Sequence, residues 1–184
     1  MKYLLISFCC LLAGLDEGKL VKTKITRDIT VLLPQTFRAM TDDEIADKYL
    51  TAKRPTAMYT NPERAADFGF NQTETRWRKV DMPMLKGVYK GSIAGLHGKV
   101  QFVQDTIATI NDRQFIVFEF VSEVTDVDAA GKPRSGSALR QYSYLQYTVE
   151  GGKIMVFNFT CPARLHPEWQ ATARAIMNSI KIRS

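Results

Sequence analysis

Two turn signatures, Asn111-Asp112 and Gly151-Gly152, each set between long runs of β-branched and aromatic residues, constrain this chain most. Asn, Asp and Gly tolerate the positive φ that a tight hairpin needs. Val100–Ile110 with Gln114–Val124, and Leu139–Val149 with Lys153–Thr160, are therefore predicted to form two antiparallel hairpins. In the second of these strands Phe115, Val117 and Val121 point one way, and Ile116, Phe118 and Phe120 the other. A strand that is apolar on both faces must be covered on both faces. The hairpins thus demand a layered architecture with packing above and below the sheet.

The remaining elements supply those layers. Ile29–Leu33 reads as a strand ended by Pro34, which cannot donate to a ladder. Thr41-Asp42-Asp43-Glu44 has capping-box spacing and opens a helix carrying Ile45, Tyr49 and Leu50, which stops before Pro55. Thr56–Thr60 and Asp67–Trp77 read as strands around an Asn61-Pro62 turn. Met82–Leu96 is predicted as a second helix bearing Gly87, Gly91 and Gly95 at every fourth position, with a partly irregular loop as the alternative. The bland account of that ridge is close backbone packing on the sheet. The last helix begins at Pro167 and aligns Trp169, Ala173, Ile176 and Ile180 on one stripe. Asp126–Ser137 reads as a flexible loop. The fold class that follows is α+β, an antiparallel β-sheet flanked by helices on both faces.

Composition agrees with a single globular domain: 184 residues, 45% hydrophobic and 24% charged, with a formal net charge of +6. Three cysteines and two histidines are too few for a cystine framework or a metal cluster, and no cofactor is expected. Lys2 followed by the apolar and small residues Tyr3–Leu15 has signal-peptide character and is too short to span a membrane. Residues 1–14 are read as the leader, 15–27 as a basic linker and 28–184 as the domain. Removing the leader takes away Lys2 and lowers the charge from +6 to +5. It also takes away Cys9 and Cys10, leaving Cys161 as a lone small core residue. A buried N-terminal helix or strand is the alternative reading of the same residues.

Three stretches together carry a family resemblance. They are the strand-proline opening Ile29–Pro34, the double hairpin, and Phe157-Asn158-Phe159-Thr160-Cys161-Pro162 leading into Trp169 and the Ile176–Ile180 close. Over roughly residues 25 to 184 the chain resembles the PsbP/Mog1-like superfamily. The resemblance implies an α/β/α sandwich with a non-enzymatic binding or assembly role, and within the superfamily the chain is similar to the exported bacterial members of unknown role. Its motifs are structural, and no ion-site or GTPase-contact residues carry over.

Residue chemistry points the same way. Gly91-Ser92-Ile93-Ala94-Gly95 lacks nucleophile-elbow spacing, and His97 and His166 are the only imidazole bases available to a triad. Asp126-Val127-Asp128-Ala129-Ala130-Gly131 lacks an oxygen ligand at Ala130, and Ser137 stands where a calcium loop needs its bidentate glutamate. Gly131–Ser137 lacks P-loop spacing. The basic residues are scattered among 19 acidic ones, so no nucleic-acid partner is expected. The reading is an exported module, periplasmic or extracellular, that binds a protein partner and has no integral membrane segment once the leader is removed. The alternative is a small-molecule or lipid carrier with a pocket between sheet and helix, and a hydrolase is a distant second alternative. The candidate surface comprises Tyr142, Tyr144, Gly87, Gly91 and Gly95. Packing of the strand, with hydroxyls at its rim, is the simpler and preferred account of the tyrosines.

Overall fold

In the computed structural model the described residues are 18–49, 54–127 and 133–183, with side chains undescribed at 124–139. The hairpins organise everything else. Asn111 and Asp112 adopt φ of 47° and 64°, and Gly151 and Gly152 adopt 55° and 73°. Both positions of each turn are left-handed, the geometry that matches the twist of the strands it joins.

In chain order the strands are β1 (Leu20–Lys24), β2 (Ile29–Pro34), β3 (Arg38–Ala39), β4 (Ala57–Thr60), β5 (Asp67–Glu74), β6 (Lys99–Ile110), β7 (Arg113–Val127), β8 (Pro133–Glu150), β9 (Lys153–Pro162) and β10 (Lys181–Ile182). The helices are α1 (Asp42–Lys48), α2 (Met82–Leu96) and α3 (His166–Asn178). A seven-stranded sheet runs β3-β4-β5-β9-β8-β7-β6, and a three-stranded sheet runs β1-β2-β10. All pairings are antiparallel.

Strand periodicity divides the core. Phe115 and Val117 of β7, Tyr142 and Tyr144 of β8, and Phe157 and Phe159 of β9 face α3 and the small sheet, where Ile29, Val31, Leu33, Ala173 and Ile176 meet them. The alternate residues Ile116, Phe118, Phe120, Tyr147 and Val149 face α2, where they meet Met82, Leu85 and Ile93. A third, small cluster of Met40, Ile45 and Met58 packs α1 against β4. The predicted cover on both faces is present.

Several boundaries differ from the sequence reading. Leu20–Lys24, read as part of a linker, is a strand paired with β2 from Leu20↔Pro34 to Lys24↔Thr30. Its isolated charges conceal it, because only one side of β1 has anything to pack on. β7 and β8 run on into the segment read as a flexible loop, with Val127 opposite Pro133. The Asp128–Lys132 part of the calcium-like and phosphate-like stretch lies outside the described residues. The α1 capping box forms as predicted, with Glu44 N–H donating to Thr41 Oγ1 and Thr41 N–H donating to Glu44. The Arg38 guanidinium, hydrogen-bonded to Glu44, and that Thr41 N–H hold the Glu44 carboxyl down at about 2. α3 ends before Ile180, because the Ser179 hydroxyl donates to the Ile176 carbonyl and accepts from Leu32 N–H.

Candidate binding surface

The five candidate residues do not share a surface. Tyr142 and Tyr144 are fully or almost fully buried beneath α3. Gly87, Gly91 and Gly95 lie on α2, across the sheet, in open space: a Cβ built on any of them meets nothing within 4 Å. The cavity that would have joined tyrosines to glycines is not formed, because the sheet itself stands between them. The expectation that the glycines pack closely on the sheet is likewise corrected. α2 seats itself through Met82, Leu85 and Ile93, and through Tyr89, which stacks on Tyr147 at 4.0 Å between centroids.

What Tyr142 does is help hold a buried acid. Glu119 of β7 is 0% exposed. Its carboxylate accepts two hydrogen bonds from Arg174, at 3.0 and 2.9 Å, one from Gln170 Nε2 at 2.7 Å and one from the Tyr142 hydroxyl at 3.0 Å. Burial, then the charge and hydrogen bond of Glu119, push the Tyr142 phenol well above its ordinary range. Tyr144 reaches Gln104 Oε1 at 3.4 Å. Sequence reasoning passed over this cluster. The available signal was a lone carboxylate within the doubly apolar run Phe115–Val121, with Gln170 and Arg174 one helical turn apart on the C-terminal helix.

One neighbour is not satisfied by protein groups. Gln146, on β8 between Val117 and Phe157, is 0% exposed, and its amide lies beside the Tyr144 hydroxyl without completing a well-formed hydrogen bond. A buried amide without a partner costs about 1–3 kcal/mol. Gln146→Met, close in shape and without the amide, is expected to raise unfolding free energy by about that amount. Urea midpoints with an unchanged m-value measure it, and a lowered midpoint would refute the assignment.

Among the described residues the Ser92 hydroxyl is hydrogen-bonded to neither histidine. The Ser92 hydroxyl donates back to the Val88 carbonyl at 3.0 Å, on the exposed side of α2. His166 stacks on Tyr142 at 4.2 Å on the opposite face of the sheet. Cys161 is buried, and desolvation with the negative charge of Glu168 pushes its thiol up to about 12, far from a reactive thiolate. His97, just past the end of α2, packs against Phe120 at 5.9 Å, and desolvation lowers its pKa below 6.5. The unfolded chain binds a proton here more readily than the fold does, so stability falls as pH drops from about 6.5 through the lower folded value. Replacing His97 by Phe should flatten the stability profile between neutral and mildly acidic pH; an unaltered slope would contradict this.

The surface that remains is the outer side of α2 and the turn before it. Val80 is 72% exposed, Met84 65%, Val88 50% and Leu96 76%. These are four of the six large apolar side chains that stand in solvent among the described residues. On the flank of α2 toward β6, Lys86 and Lys90 both reach Asp105, at 2.7 and 2.5 Å. Helical geometry puts Met84 and Val88 on the other flank, beside Gly91 and Gly95. There the sheet residues Leu145, Ile154 and Val156 are only half-buried.

The architecture is that of the PsbP/Mog1-like α+β fold. Similar solved structures include cyanobacterial PsbP (CyanoP) from Synechocystis sp. PCC 6803, with a TM-score of 0.56 and 11% identity over 92% of this chain and 95% of that one. LpqN of Mycobacterium tuberculosis, described as involved in cell envelope biogenesis, gives 0.52 and 10% identity over 92% and 88% of the two chains. A point mutant of Mog1 gives 0.51 and 11% identity over 89% and 96%. No protein-family model matches the sequence, and no curated protein matches it. What is shared is the fold. None of the helices among the described residues is long and apolar enough to cross a membrane.

Proposed function

We propose that this chain is an exported, non-enzymatic binding module that docks a protein partner on the outer face of α2. The observation that carries the reading is the gathering of Val80, Met84, Val88 and Leu96 in solvent on and beside one helix. Monomeric proteins scatter exposed apolar residues singly, and a cluster rimmed by polar groups marks a contact site. Export rests on Lys2 and the apolar Tyr3–Leu15 stretch, with residues 28–184 as the working domain. The envelope role stated for LpqN, a protein of the same fold, supports the same compartment.

Affinity purification of the tagged chain from its own source tests the function. The wild type should retain a stoichiometric protein partner, and Met84→Glu/Val88→Glu should lose it while melting at the same temperature. Equal retention by both chains would remove α2 from the reading. A co-purifying small molecule with no protein would favour the carrier instead. Fractionation of a chain lacking residues 1–14 tests the compartment, and unchanged export would refute the leader assignment.

A further inference from the structure

We infer that the partner presents an acidic amphipathic helix to α2, an inference that rests on the binding-module reading above. The first ground is charge. From Arg76 to Lys99 the chain carries Arg76, Arg78, Lys79, Lys86, Lys90 and Lys99 against the single acid Asp81, a net of +5 within a protein of +6. The basic residues are spread along the chain, but the excess of positive over negative charge falls in this segment. The sheet answers only part of this charge. Asp105 takes Lys86 and Lys90, Glu150 takes Lys79, and Glu123 lies 3.5 Å from Lys99. Two of those acids are shared, since Arg113 also binds Glu150 and Arg140 also binds Glu123. Excess positive charge thus lies at the two ends of α2 and along its β6 flank, and complementary charge is what selects and steers a partner to such a face.

The second ground is shape. Met84 and Val88 stand beside backbone left bare at Gly87, Gly91 and Gly95. Helix axes approach to about 8–10 Å, with the side chains at the crossing setting the distance. A helix laid across this ridge can come near the close end of that range, with its apolar stripe against Met84 and Val88 and its acids toward the basic residues. Two other occupants fit less well. A second copy would bring the same +5 segment against itself. A bilayer would gain little from the middle of the face, where the glycines offer no side chain to insert.

Site-directed photo-crosslinking of the full chain decides the matter. Benzoyl-phenylalanine is placed at Val88, with a control at Lys181, and the joined segment is sequenced from extract of the native source. The expected product is a segment with net negative charge and helical apolar periodicity. Its yield should fall about tenfold in Arg76→Glu/Lys99→Glu, and similarly when salt is raised to roughly 0.5 M. The control position should give no such product. A crosslink to a basic, neutral or extended segment of another protein overturns the acidic-helix inference and leaves the binding module standing. Crosslinks confined to lipid or to a second copy overturn the inference as well. No α2-specific crosslink at all sinks the module reading itself.

Discussion

Arg174→Ala is expected to cost about 3–5 kcal/mol of stability. The substitution removes the guanidinium that holds Glu119 through two hydrogen bonds and leaves a carboxylate that is 0% exposed with only Tyr142 and Gln170. Truncating one partner is costly because the other charge stays buried without compensation, whereas removing both is not. The double variant Glu119→Leu/Arg174→Leu should therefore lie within about 1–2 kcal/mol of the wild type, on either side. Chemical denaturation of the single and double variants measures the asymmetry. Equal losses would mean that Glu119 is not held as described. Arg174 is itself half-exposed, so Glu119→Ala should cost less than Arg174→Ala: the freed guanidinium can turn to water.

Phe157→Ala should have a loss of similar size for a different reason. Phe157 is 0% exposed near the middle of β9, with ring centroids 4.9 Å from Phe70 and 6.2 Å from Phe115. It therefore ties β5, β9 and β7 together under α3. A cavity where three strands meet relaxes little, and such truncations cost about 3–5 kcal/mol. Val103→Ala, at the exposed bulge of β6, serves as the control and should change stability by no more than about 0.5 kcal/mol. Thermal melts of the two variants make the comparison. A loss at Phe157 no larger than that at Val103 would show that the packing described for β9 is wrong.

The pattern of what could be read from the sequence has a physical basis. The hairpins were legible because turn chemistry and period-two alternation are local, and Asn111-Asp112 and Gly151-Gly152 carry both. β1 and β10 were not. β1 has charged residues on its outer side, and β10 is only the two residues Lys181–Ile182 paired with β2. Strands of that kind are made by their neighbours rather than by their own pattern. The candidate surface was half legible. Glycine spacing drew attention to the correct helix, but the facing direction of α2 depends on Leu85 and Ile93 finding the sheet. The tyrosines misled because hydroxyls on a strand look the same whether they rim a pocket or cap a buried acid. Only the chain crossing from β7 to α3 reveals the acid.

The position of β2 has a consequence for the order in which the chain can assemble. β2 lies between β1 and β10, and its partners include Lys181 and Ile182, while Arg183 N–H donates to the Asp28 carbonyl. β5 likewise waits for β9, pairing Phe70 with Phe157. Contacts between such distant residues are entropically slow to close. During synthesis the first third of the domain has no completed sheet to join until β9, α3 and β10 have emerged. Pulse-labelled hydrogen exchange during refolding should find the β6–β7 and β8–β9 hairpins protected first and the β2 amides last. Early protection of β2 would contradict that order.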